Sequence, residues 1–233
     1  MTAAPPGQAT QGKAPQGKAT QGKAPHGWTL YEEALDGGVP TDLVLRSADG
    51  RVWPFPVSRW AAPPDATDLD LLGRCDGPTL DVGCGPGRLV EGLAGRGIPA
   101  LGVDSSPAAV RSCLRRGGTA LRRDLFDRLP GEGRWRHVLV IDGNVGIGGD
   151  PPTLLARVRT LLGPLGQAVV EVHPSTVDEV LAVRLEHPDG RRGATWRWAR
   201  VGLPGLRRYA AAAGLTVTGH WHRSGRSFVE LAR

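Results

Sequence analysis

From residue 78 onwards, short apolar runs alternate with stretches whose apolar positions recur at helical spacing. Thr79–Val82, Ala100–Val103, Ala120–Arg122, His137–Ile141 and Ala168–Val172 predict strands. Arg88–Ala94, Pro107 to about Arg116, and Pro151–Leu162 predict the helices between them, the last opened by Asp150 as N-cap with proline at the first helical position. After residue 174 the alternation loosens. It resumes with a helix at Leu203–Ala213 and a closing hairpin, Thr216–His222 and Phe228–Leu231, around Ser224-Gly225. Strands and helices alternating in this way imply an α/β fold: a doubly wound, mostly parallel seven-stranded sheet, covered on both faces, with an antiparallel terminal strand.

Ahead of this domain (78–233) the pattern predicts a small cap over 27–77. Thr29-Leu-Tyr-Glu32 reads as a capping box opening a short helix that ends near Gly37. Leu43–Arg46 and Arg51–Phe55 flank Asp49-Gly50 as a β-hairpin, and Leu69–Leu72 reads as a helical turn or more. Residues 1–26 carry the pentapeptide repeat ATQGK, APQGK, ATQGK, which holds too little apolar surface to offset its ordering entropy; a disordered tail is expected there.

The densest chemistry lies in Leu80-Asp81-Val82-Gly83-Cys84-Gly85-Pro86-Gly87, which runs from the first core strand into a helix. Its glycines let the backbone turn tightly and admit a ligand against bare amides, and the helix N-terminus beyond offers unpaired N–H groups. Asp104 ends the second strand, where a carboxylate lies beside the loop and can accept both hydroxyls of a ribose. An adenosine-type cofactor at the carboxyl ends of the strands follows. The loop lacks G-x-G-x-x-G spacing because position 88 is Arg, and an acid at 81 suits an ammonium better than a pyrophosphate. Both features favour S-adenosylmethionine over NAD.

LDVGCGPGRLV resembles the first motif of the class I S-adenosylmethionine-dependent methyltransferases, and Gly102-Val103-Asp104-Ser105-Ser106 their second. Asp124-Leu125-Phe126 resembles the segment that holds the adenine, and Val140-Ile141-Asp142-Gly143-Asn144 the fourth motif, at the strand end that faces the methyl group. The resemblance spans about residues 78–173. It implies S-adenosyl-L-methionine as cofactor, with Asp81, Gly83, Cys84, Gly85, Gly87, Asp104, Ser105, Asp124, Leu125, Phe126 and Asp142 around it. It also implies transfer of a methyl group to an acceptor. Two rivals stay open: a non-catalytic binding module of the same fold, and methylation of nucleic acid or protein.

Composition changes this picture little. The net charge of +6 comes from arginine; the lysines are confined to Lys13, Lys18 and Lys23. Arginine without lysine, beside abundant Gly, Ala and Pro, reads as GC-rich base composition rather than a nucleic-acid footprint, so a small-molecule acceptor is expected. No apolar run is long enough for a membrane span, and the N-terminus shows no secretory signal pattern. Cys75, Cys84 and Cys113 read as free thiols in a reducing cytoplasm, with no metal site. The acceptor wall is expected from residues 27–60 and 174–202, which hold Trp28, Tyr31, Trp53, Phe55, Trp60, Trp196 and Trp198. His173 and Asp142 are the candidate catalytic bases; His220 and His222 share one face of a late strand. Acceptor identity and oligomeric state leave no mark in the sequence.

Overall fold

The computed structural model describes residues 28–37 and 43–233; the expected tail at 1–26 lies outside them. Five parallel strands make up most of the main sheet: β3 (Thr79–Val82), β4 (Ala100–Asp104), β5 (Ala120–Arg122), β6 (Trp135–Val140) and β7 (Leu162–Val172). With β10 (Thr216–Arg223) and β11 (Arg226–Ala232) the order is β10-β11-β7-β6-β3-β4-β5. The terminal hairpin inserts its second arm beside β7, so β11 is the antiparallel strand and β10 takes the edge. Chain order reverses between β3 and β6, and such a switch point opens a crevice at the strand carboxyl ends.

Side-chain alternation sends each strand into two cores. Val138 and Val140, with Ala168, Val170 and Val172, pack on α6 (Pro151–Leu161) and α7 (Leu203–Ala212). Leu139, Ile141, Val169 and Phe228 face the other way, onto α3 (Ala66–Leu72) and α4 (Arg88–Ala94). Between β4 and β5 lies α5 (Pro107–Arg115), capped by the Ser106 hydroxyl, which accepts from the Ala109 N–H.

A second, four-stranded antiparallel sheet covers the crevice. The predicted hairpin forms as β1 (Leu43–Ser47) and β2 (Val52–Phe55). It is joined by β8 (Asp178–Glu186) and β9 (Trp196–Val201), in the order β2-β1-β8-β9. The stretch where the sequence pattern loosens thus completes the cap: β8 pairs with β1, a contact far apart in sequence. Residue burial along β9 alternates, and its end is tied to β7 by the His173 N–H, which donates to the Val201 carbonyl.

Two helices close the cap. One is α1 (Thr29–Asp36); the other, α2 (Val57–Ala61), was not anticipated. The expected capping box at Thr29–Glu32 does not form. Trp28 is the N-cap and makes no side-chain cap bond, while Glu32 turns to α5 and accepts from the Ser106 hydroxyl. A capping box does form at α3, where Asp65 accepts from the Thr67 and Asp68 N–H groups and Asp68 accepts in return from the Asp65 N–H. No helix among the described residues is long and apolar enough to cross a membrane.

Candidate functional site

The strand ends and the cap enclose a cavity of about 1000 Å³. Its floor comes from the loop after β3, where Gly83, Gly85 and Gly87 all have positive φ (67°, 53° and 90°). At Gly83 a Cβ would stand 2.6 Å from Asn144 Nδ2, which donates to the carbonyls of Val82 and Gly83. At Gly87 it would run into the side chain of Cys113 on α5. Any other residue at these two points would force the loop off the sheet.

The structure brings most of the expected cofactor residues to this floor. Gly83, Cys84, Gly85, Asp104, Ser105, Asp124, Leu125, Phe126 and Asp142 all line the cavity. Asp104 is braced from both sides, Oδ2 accepting from the Gly85 N–H at 2.9 Å and Oδ1 from the Ser106 N–H at 2.8 Å. Each oxygen keeps a lone pair for a further donor. Burial pushes its carboxyl above the usual carboxylate range, against the pull of those N–H groups. Cys84 packs its side chain with Val90 and Cys113, so the loop rather than the thiol is what it can offer a ligand. Asp124 accepts from the Phe126 N–H at 2.9 Å, fixing the turn after β5; Leu125 is buried in the main core and Phe126 packs at its margin. The thiols of Cys75, Cys84 and Cys113 are free and buried.

Asp81 and Gly87 lie outside the cavity lining. Asp81 sits on β3, and its Oδ2 is buried with no hydrogen-bond partner. Such an orphan marks a place where a donor is wanted. Desolvation pushes its carboxyl up to about 7. Because the folded-state pKa lies above the unfolded one, the folded state holds the extra proton from about pH 4 to about 7, and stability falls as pH rises through that window. Asp81→Asn is expected to flatten this dependence and to stabilise the protein at pH 8 by about 1–3 kcal/mol, the cost of a buried unsatisfied group. Urea midpoints measured from pH 4 to 8 check it; an unchanged profile would show that Asp81 is solvated.

An ion cluster that the sequence pattern does not announce runs from the floor of the cavity into the protein. Buried Asp68 takes a forked hydrogen bond from buried Arg88, through Nε at 2.8 Å and Nη2 at 3.1 Å, and a further one from Arg226 at 2.7 Å. Arg88 and Arg226 continue to Asp142 and Glu171, and Arg59 of α2 reaches Asp142 at 2.8 Å. The sequence marks Arg88 only as the residue that spoils a dinucleotide-loop spacing, and nothing in spacing alone brings three carboxylates (Asp68, Asp142, Glu171) and three arginines (Arg59, Arg88, Arg226) together.

Both candidate bases are held by neighbouring groups, Asp142 by this cluster and His173 by Arg200 and Ser175. Asp142, at positive φ (57°), accepts from Arg59 on Oδ1 and from Arg88 on Oδ2. Both of its carboxylate oxygens are thus already engaged by guanidiniums. His173 sits at the end of β7, and its Nε2 accepts from Arg200 at 2.7 Å while Nδ1 meets the Ser175 hydroxyl at 2.8 Å. Desolvation first, and then Arg200, lowers its pKa. The Nε2 lone pair is already taken by Arg200. His220 and His222 lie on the edge strand, away from the cavity lining.

Above the floor the cavity is aromatic. Phe55 and Trp53 of β2, Trp196 and Trp198 of β9, and Trp28, Tyr31 and Trp60 of α1 and α2 form its roof and walls. Phe55 meets Trp60 edge-on at 4.6 Å between ring centroids, and Trp28 meets Trp196 at 5.0 Å. Trp198 packs on the segment after β6, where a side chain at Gly146 would strike its indole.

The model of the methionine biosynthesis protein MetW family matches residues 69–132, which hold the glycine loop and Asp104. No curated protein matches the chain by sequence. Among solved structures, an S-adenosylmethionine-dependent methyltransferase from Bacteroides fragilis, crystallised with S-adenosyl-L-homocysteine, superposes with a TM-score of 0.73 at 20% identity, covering 89% of this chain and 93% of that one. The 1,6-didemethyltoxoflavin-N1-methyltransferase of Burkholderia thailandensis follows at 0.56 and 21%, covering 75% and 78%. The CcbJ methyltransferase of Streptomyces caelestis gives 0.58 and 18%, covering 75% and 91%. The chain therefore has the seven-stranded fold of the class I S-adenosylmethionine-dependent methyltransferases.

Proposed function

We propose that this protein transfers a methyl group from S-adenosyl-L-methionine to a small-molecule acceptor. One observation carries the reading: a single cavity joins the glycine loop, Asp104 and the Asp124–Phe126 turn at its floor to a separate aromatic chamber above. A volume of about 1000 Å³ stands at the upper end of ligand pockets, enough for a cofactor and a small acceptor together. The Burkholderia neighbour is named for 1,6-didemethyltoxoflavin, and another neighbour, CalS10 of Micromonospora echinaspora, for an amino pentose; both are small molecules.

The residues present fit the cofactor. Asp104 has lone pairs for ribose hydroxyls, Asp124 and Phe126 present an acid and a ring for an adenine, and the orphaned Asp81 oxygen beneath the loop suits a cationic tail, directly or through a water. The bound cofactor would supply an electrophilic methyl group on a sulfonium. The chain's own part is to hold the two ligands in line and exclude water, which the cap does by closing over the strand ends. Arg59 and Tyr31 carry that closure to the floor. Arg59 bonds Asp142, and a side chain at Gly85 would meet the Tyr31 hydroxyl. Free buried thiols suit a reducing compartment such as the cytoplasm.

Titration calorimetry with S-adenosyl-L-homocysteine, with NAD as control, tests the cofactor. Binding of the first alone is the expected result; binding of neither, or of NAD, overturns the proposal.

A further inference from the structure

Most aromatic residues of this chain gather around the cavity. Five of the seven tryptophans, one of the two tyrosines and two of the three phenylalanines line the one cavity, while the main sheet is packed with Leu, Val and Ala. Ring faces in such number at a chamber wall suit a flat ligand.

The acids around the cavity are segregated. The cap's contribution to the lining includes Arg59, Arg197 and Arg200, and no carboxylate. The floor supplies the acids, Asp104, Asp124, Asp127, Asp142 and Glu171, interspersed with Arg88, Arg122 and Arg123. Aromatic cages often hold ammonium ions, but guanidiniums in the wall oppose a cation in this chamber. Arg200 is the one placed to bind. It lies on the same face of β9 as Trp196 and Trp198, with its guanidinium over the Trp53 ring at 4.6 Å. Glu179 at 2.8 Å and His173 at 2.7 Å hold it in position, yet they use only two of its five N–H groups. Four residues earlier on the same face of that strand, about 13 Å along it, the Trp196 indole N–H is buried without a partner, a donor with nothing to bond.

We infer that the acceptor is a planar aromatic molecule carrying an anionic group, its ring held among Trp53, Phe55, Trp196 and Trp198 and its anion by Arg200. This rests on the methyl-transfer reading for the word acceptor, but the binding site stands on the cap alone. It also agrees with the state of the two candidate bases. With Asp142 and His173 both engaged, an acceptor that is already deprotonated needs no base from the protein.

The test is a matched set of probes followed by quenching of indole fluorescence and by calorimetry, on the full chain, with and without saturating S-adenosyl-L-homocysteine. 4-Hydroxybenzoate is aromatic and anionic, 4-hydroxybenzamide is its neutral counterpart, tyramine is a cation, and cyclohexanecarboxylate is an anion without a ring. The aromatic acid is expected to bind at least about tenfold more tightly than each of the other three, in keeping with a charge-assisted hydrogen bond and ring stacking. Arg200→Gln is expected to remove the preference for the acid over the amide while leaving homocysteine-cofactor binding intact. Equal or tighter binding of tyramine or cyclohexanecarboxylate, or no binding of the aromatic acid to a protein that binds the cofactor product, overturns the inference. Binding of the aromatic acid to a protein that binds no S-adenosyl-L-homocysteine would uphold the aromatic-anion site and sink the methyltransferase reading instead.

Discussion

Replacing Arg88 with alanine is expected to destabilise the protein by about 3–5 kcal/mol, measured as a lowered urea midpoint at pH 7. The reason lies in what it leaves behind. Asp68 is 1% exposed and Arg88 is 4% exposed, so truncation strands a buried carboxylate and also frees Asp142 Oδ2. Arg226 stays on Asp68, but it must also serve Glu171 and Asp142, and it replaces none of the fork. Lysine should rescue poorly, because a single ammonium does not present the planar pair of donors that Asp68 accepts. The same pair gives an acid signature. Burial alone would raise the Asp68 carboxyl, yet Arg88 and Arg226 hold it at about 2, below its ordinary 3.8. A depressed pKa means that this stabilisation is complete above about pH 4 and lost as pH falls towards 2. The Arg88→Ala protein should therefore begin to unfold at a higher pH than the parent. A variant with the parent's midpoint and acid profile would show that the cluster adds nothing to the fold.

Asp104→Ala is expected to weaken S-adenosyl-L-homocysteine binding by about a hundredfold, close to 3 kcal/mol, as two charge-assisted hydrogen bonds are lost. The structure adds a second contribution. Asp104 also fixes Gly85 and Ser106 through their N–H groups, so its removal loosens the loop that floors the cavity. Asp104→Asn separates the two. The amide keeps the side chain's size and one acceptor oxygen, and so should retain part of the loop bracing while losing the charge. Calorimetry on both variants, each checked for cooperative unfolding, gives the comparison. Unchanged affinity in a folded Asp104→Ala protein would end the ribose assignment.

Both experiments bear on how the cap and the floor cooperate. Arg59 links α2 to Asp142, and Asp142 is held from behind by Arg88. The strand end that closes one side of the cavity is thus positioned by a cluster that also ties α3 and α4 to β7 and β11 of the sheet. Its function is to fix geometry, and a defect there should appear in stability before it appears in ligand selectivity.

The central sheet was legible in the sequence because its signals are local. Thr79–Val82 and Ala100–Val103 are apolar runs bounded by turns, Gly83 and Gly87 mark a loop that only glycine fits, and Asp104 follows at a spacing set by one βαβ unit. The terminal hairpin and the helix from Leu203 were read for the same reason. What the sequence could not determine was everything that depends on distant partners. The pairing of β1 with β8 joins segments separated by most of the chain, so the cap sheet had no local period to betray it. Thr29–Glu32 looks like a capping box, but Glu32 finds a better-placed donor in Ser106, brought there by the packing of α1 on α5. Nothing local in the sequence pairs Arg88 or Arg226 with Asp68, and only tertiary structure brings them onto it. His173 and Asp142 were visible as strand-end groups suited to proton transfer. Whether such a group is free depends on its neighbours in space, and here the arginines that occupy both come from other elements: α2, α4 and β9.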